Sequence, residues 1–144
     1  MKTEAAFWDT SVLLTLSCQQ DLSKQARQLW RAAPRVVVWW GTSVEMRSAI
    51  SRLQGQGRLT APELQFALRR LEAMRDQWRE IAPSDKLRNL AETLPDTYNL
   101  RALDAFQLAA ALVWCKEKPP GRVFICADEK LSQAAAQAGF TVAP

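Results

Sequence analysis

The sequence predicts an α/β fold of three layers, a four- to five-stranded, mainly parallel sheet with helices on both faces. Three observations carry that expectation. Short apolar, often β-branched runs alternate with longer stretches of helical periodicity, the order of a βα-repeating fold. Each run is apolar almost throughout rather than at every second residue, as strands buried on both faces require. The main runs also end close to a residue that favours a turn or a helix cap.

The elements follow in order. Residues 5–8, Ala-Ala-Phe-Trp, form a first strand that stops at Asp9-Thr10-Ser11, where a helix can begin. A helix is expected over 21–32, closed by Pro34. Residues 35–40, Arg-Val-Val-Val-Trp-Trp, are the clearest strand and end at Gly41 before a helix over 43–54. Gly55 and Gly57 interrupt that helix, and Thr60-x-x-Glu63 with Pro62 in the first turn opens the next, over 61–80. A short strand near Ile81, a helix over 85–94 between Pro83 and Pro95, and a helix over 102–115 come next. Residues 121–126 form a strand ahead of Asp128 and a helix over 131–138, which Gly139 stops before a last strand over 140–142. No repeat or linker divides the chain, so residues 1–144 read as a single domain, long enough to bury roughly two-thirds of its unfolded surface.

Composition removes whole classes of chemistry. There is no histidine, which excludes Ser-His-Asp and Cys-His sites and imidazole ligands. Cys18, Cys115 and Cys126 are odd in number and contain no CxxC pair, so neither a disulfide framework nor a zinc site is expected, and they read as small apolar fillers. No Walker loop or GxGxxG is present, hence no nucleotide cofactor. The apolar stretch 12–16 is too short for a signal core or a membrane span, so a cytoplasmic protein with no membrane partner is expected.

Catalysis is then left to carboxylates, lysine, tyrosine or a metal. Asp9, Glu45 and Asp128 each stand one to five residues beyond the last apolar residue of a separate strand, the edge at which open parallel sheets bind ligands. Asp104 shares the helix 102–115 with Gln107 as its only other polar residue, and an isolated carboxylate on so apolar a helix calls for a proton, a partner or a cation. Each acid has a structural alternative: Asp9 and Asp128 as helix caps, Thr42-x-x-Glu45 as a capping box, Asp104 as a charge at the positive end of its helix. If they converge, four carboxylates without soft ligands suit Mg²⁺ or Mn²⁺, and one or two such ions can drive phosphodiester hydrolysis without histidine. The net charge of +4 becomes +8 on the remainder once the four acids are set aside, which matches a polyanionic substrate. Arg47, Arg52, Arg58, Arg69, Arg70, Arg75, Arg79 and Lys130 follow the acids closely, although helix-face charges of this kind are commonly solvated. Trp8, Trp39 and Trp40 adjoin the expected site; their strand-end positions assign them to the core, with base stacking as the functional alternative.

Four segments together carry a resemblance: Phe7-Trp8-Asp9-Thr10-Ser11-Val12-Leu13-Leu14, Ser43-Val44-Glu45-Met46-Arg47-Ser48-Ala49, Leu100-Arg101-Ala102-Leu103-Asp104-Ala105-Phe106-Gln107-Leu108-Ala109, and Ile125-Cys126-Ala127-Asp128-Glu129-Lys130-Leu131. In this order they resemble the PIN-domain family, in particular VapC-like toxins of toxin–antitoxin pairs, from residue 5 to about 142. The resemblance implies a Rossmann-like sheet, Mg²⁺- or Mn²⁺-dependent endoribonuclease activity, homodimers and inhibition by a cognate antitoxin. By position Asp9, Glu45, Asp104 and Asp128 match the family's metal-site acids, and Ser11 matches a supporting hydroxyl. Cys126 stands where threonine or serine is common, and Gln107 replaces a frequent histidine. Two alternatives remain: a DNA- or flap-directed nuclease with the same acids, and a non-catalytic metal- or nucleic-acid-binding scaffold. Asp9-Thr10-Ser11 starts like the DxSxS adhesion motif, but Leu13 stands where the second serine belongs, and an aspartate-nucleophile phosphatase would need an acid in place of Ser11.

Overall fold

In the computed structural model, which describes residues 3–18 and 23–144, the described residues form one five-stranded, wholly parallel sheet. The strands are β1 (Ala5–Trp8), β2 (Arg35–Trp39), β3 (Arg79–Ile81), β4 (Val123–Ile125) and β5 (Thr141–Ala143), in the spatial order β3-β2-β1-β4-β5. The chain therefore starts in the centre of the sheet, builds outward to β3, then crosses to the other side of β1 to lay down β4 and β5. Strand order reverses at β1, and a crevice opens at such a reversal beyond the carboxyl ends of the strands.

Seven helices among the described residues cover the two faces: α1 (Thr10–Cys18), α2 (Ser23–Ala32), α3 (Thr42–Gly55), α4 (Ala61–Arg75), α5 (Asp85–Tyr98), α6 (Ala102–Trp114) and α7 (Glu129–Ala138). Alternation along the strands splits the core in two. Ala6, Trp8, Val36, Val38, Val123 and Ile125 pack with α1, α3 and α4. Phe7, Val37, Trp39 and Phe124 face the other way, onto α5, α6 and α7. Both sets are buried, which is why the strands read as apolar throughout.

Several boundaries differ from the sequence expectation. The helix expected over 61–80 stops at Arg75, and Arg79–Ile81 instead pairs with β2, with Val37 opposite Arg79. Trp78 turns into the core, and its indole N–H donates to Glu80 Oε2 at 3.0 Å, so docking on an open sheet edge overrides helical propensity. Conversely α5 runs through Pro95 to Tyr98 and ends at Asn99, whose φ of 56° places it in the left-handed region while its N–H bonds to the Pro95 carbonyl. Burial of Leu94 and Leu100 on either side of that turn offsets the helix bond that proline lacks. The capping box at Thr60 and Glu63 is formed as expected, with both reciprocal bonds present. Of the helix expected over 21–32, Asp21 and Leu22 lie outside the described residues, and Ser23–Ala32 is helical. No helix among the described residues is long and apolar enough to cross a membrane.

Candidate active site

All four carboxylates belong to the carboxyl edge of the sheet. Asp9 follows β1 directly, and its N–H bonds to the Ile125 carbonyl at 2.9 Å, which carries the β1–β4 ladder one residue beyond the strand. Its side chain is buried, 5% exposed. Asp128 stands three residues past β4 and caps α7, accepting from the Leu131 N–H at 2.8 Å. Glu45 lies in the first turn of α3. Asp104 lies in the first turn of α6, half-buried, where the helix is only beginning to enter the core, since Ala102 and Leu103 are exposed and continuous burial starts further along. The apolar composition of this helix therefore overstates how deep Asp104 sits.

The four acids act on one another. Burial first, then the charges of Asp128 and Asp9, push Asp104 up to about 6, while Arg101 and Lys130 pull the other way. Burial and then Asp9 push Glu45 up to about 7, with Asp104 adding to the effect. Among the described residues no lysine or arginine forms an ion pair with any of the four.

Asp9 is held from two sides. Its Oδ2 accepts from the Ser11 hydroxyl at 2.6 Å, the Ser11 N–H at 3.2 Å and the Cys126 thiol at 3.6 Å. Burial raises its pKa and these donors counter it. Ser11 Oγ also accepts from the Ala127 N–H at 3.0 Å, so one hydroxyl ties the turn after β1 to the turn after β4. Cys126 is more than an apolar filler, because burial and then the charge of Asp9 push its thiol up to about 12 and keep the S–H available as a donor.

The sequence singles out Gln107 but not its role of orienting Glu45. Gln107, fully buried, sets its Nε2 at 3.1 Å from Thr10 Oγ1, 3.3 Å from Thr42 Oγ1 and 3.1 Å from Glu45 Oε2. Thr42 thus faces Gln107 and not the backbone, the N-cap of α3 is Gly41 without a side-chain bond, and the capping box that Thr42-x-x-Glu45 spells is not formed. The available signal was that Gln107 is one of two polar residues on an apolar helix. Among the tryptophans, Trp8 and Trp39 are core, whereas Trp40, 55% exposed, has passed the last inward position of β2 and packs edge-on against Trp39.

The donor set suits a hard cation. It is all oxygen, burial and then like charge raise Glu45 and Asp104, and no lysine or arginine among the described residues forms an ion pair with it. Among the described residues no three acidic or thiol side chains already surround one point as metal ligands.

Comparison with known proteins agrees with the fold. No curated protein matches the chain. Solved structures do: VapBC-5 of the VapBC toxin–antitoxin family from Mycobacterium tuberculosis is 18% identical with a TM-score of 0.64, 98% of each chain being covered. A toxin–antitoxin complex from Klebsiella pneumoniae is 20% identical with a TM-score of 0.59, over 86% of this chain and 87% of that one. A Pyrobaculum aerophilum protein is 16% identical with a TM-score of 0.64, over 99% and 92%. At these identities the likeness is one of fold. The sequence pattern of the PIN domain matches residues 6–136, a span that runs from the central strand β1 through α6 and β4 into α7, and the chain belongs to the PIN domain family.

Proposed function

We propose that this chain is a divalent-metal-dependent endoribonuclease and the toxin of a toxin–antitoxin pair. What supports the reading is the placement of Asp9, Glu45, Asp104 and Asp128 along the carboxyl edge of a PIN-domain sheet, where burial and then neighbouring acid charge raise Glu45 and Asp104, and where no lysine or arginine among the described residues forms an ion pair with any of the four. These four would hold Mg²⁺ or Mn²⁺, which when bound supplies charge neutralisation and activation of water for phosphodiester hydrolysis. The chain's own residues prepare that role. Ser11 and Cys126 fix the Asp9 carboxylate, Gln107 fixes Glu45, and Arg101 and Lys130 put positive charge beside Asp104, where a phosphate would approach. RNA as substrate, a homodimer, a cytoplasmic location and a cognate antitoxin rest on the family resemblance and on toxin–antitoxin structures of the same fold.

The test is cleavage of single-stranded RNA, transfer RNA and DNA in Mg²⁺ or Mn²⁺, in chelator, and by Asp9→Asn and Asp104→Asn. Cleavage of RNA should stop in chelator and in both variants, with the circular dichroism of the folded protein retained. Undiminished cleavage by both variants would sink the site, and activity on DNA alone would sink the substrate. A DNA-binding protein encoded beside the gene should copurify with the chain and suppress cleavage.

A further inference from the structure

The amino edge of the sheet, remote from the carboxylates, surrounds a cavity of about 460 Å³. Three arginines line it, each at the opening of a different strand: Arg35 begins β2, Arg79 begins β3 and Arg122 immediately precedes β4. Register decides where they point. Ala5 is level with Arg35, Val37 with Arg79, and Ala6 with Val123, which sets Arg122 level with Ala5. Residues level across a parallel ladder share a face, as do residues two apart along a strand. All three arginines therefore belong to the face that carries Phe7, Val37 and Phe124, at the end where α6 finishes with Trp114.

Further along the strands this face is filled by apolar side chains. Here the positions flanking β1 are charged and the position on β1 is only Ala5, so the arginines stand around a small floor with Trp114 as a wall. Among the described lining residues Glu4 alone is acidic, and it pairs with Arg35 at 2.9 Å. The Arg122 guanidinium lies 5.3 Å from the centre of the Trp114 ring, a stacking contact that leaves its in-plane N–H donors free to bond. Arg79 forms no ion pair among the described residues. Two positive charges thus remain uncompensated at the rim of one concave site. Guanidinium groups lining one cavity can offer paired N–H bonds to the several oxygens of phosphoryl groups.

We propose that this cavity binds a phosphate group, from a free phosphate compound or from an RNA strand, at a site separate from the carboxylates by the length of β1, roughly 13 Å at about 3.3 Å per residue. The site does not depend on the nuclease reading. Because the acids lie at the other end of the strand, phosphate held here requires no divalent ion.

The experiment titrates the full chain, ¹⁵N-labelled and kept in chelator, with pyrophosphate while the indole N–H signal of Trp114 and the backbone amide signal of Arg122 are followed. Both should shift and saturate. Arg79→Gln with Arg122→Gln should weaken binding by about tenfold or more, the scale of losing charge-assisted bonds. Ala5→Leu retains every charge but fills the floor, and it should weaken binding comparably, with the remaining amide signals undisturbed. Shifts that never saturate, or undiminished affinity in both the arginine and the Ala5→Leu variants, would overturn the proposal. Unchanged affinity in Ala5→Leu alone would overturn it too, since attraction to surface charge would then suffice. Displacement of pyrophosphate by a single-stranded RNA assigns the site to the strand backbone, and failure of displacement assigns it to a free phosphate compound; both support the site.

Discussion

Glu45→Gln should make the metal-free protein more stable while removing its activity. Burial and then the charge of Asp9 raise Glu45 from 4.5 to about 7. Between those values the folded protein holds a proton that the unfolded chain has released, so stability falls as pH rises through the window and levels off above it. The full gap corresponds to at most about 3 kcal/mol at pH 8. Glu45 is only partly buried, and water screens its charge, so a penalty of about 1 to 2 kcal/mol is expected. Glutamine keeps the shape, carries no charge and still offers an oxygen to the Gln107 amide. The variant should therefore melt about 3 to 8 °C above the parent at pH 8 in chelator, with the difference vanishing near pH 4.5. Part of the pH dependence should survive, because Asp104 is raised from 3.8 to about 6 and acts in the same direction. Thermal unfolding followed by circular dichroism at the two pH values, with and without Mn²⁺, reads all of this, and Mn²⁺ should raise the parent's Tm more than the variant's. A variant that melts at or below the parent at pH 8 refutes the claim that these acids are crowded to the fold's disadvantage.

Gln107→Leu removes the amide that serves Thr10, Thr42 and Glu45, and urea unfolding should show a loss of about 1 to 2 kcal/mol, against no loss if the bonds are idle. Thiol labelling of the folded chain at pH 8 should leave Cys126 unmodified, since a thiol raised to about 12 has almost no thiolate; rapid modification located by peptide mass analysis would contradict its burial beside Asp9. Thr60→Ala deletes one half of a formed capping box and should cost about 1 kcal/mol in the same urea assay, with no change in RNA cleavage.

What could be read beforehand is what local pattern encodes. Ala6 and Trp8 face one core while Phe7 faces the other, so the strand is apolar at successive positions and shows itself in a short window. A strand near Ile81 is expected from the sequence and is present, but the end of α4 at Arg75 does not show itself, because residues 79–81 are fixed as strand by the β2 edge beside them. Pro95 marked a boundary that packing of its neighbours overrode. Spacing points Asp9, Glu45 and Asp128 to one edge, with Asp104 added from its apolar helix, yet it also spells a capping box at Thr42 that the Gln107 amide replaces. That amide joins side chains 97 and 65 residues away, a separation to which periodicity and cap signals are blind. The exposure of Trp40 turns on a single residue of register at the end of β2, finer than an apolar run can specify.

The central place of β1 has a temporal side. Its two neighbours are made far apart: β2 from residue 35 onward, β4 only from residue 123. A chain interrupted before β4 carries Asp9, Glu45 and Asp104, but β1 has an open flank where Phe124 and Ile125 should lie, and Ser11 has no Ala127 N–H to receive. Such a fragment exposes unpaired strand backbone beside apolar side chains and is prone to aggregate or be degraded. The clasp on Asp9 therefore closes late in synthesis, and the acid set is delivered whole or not at all.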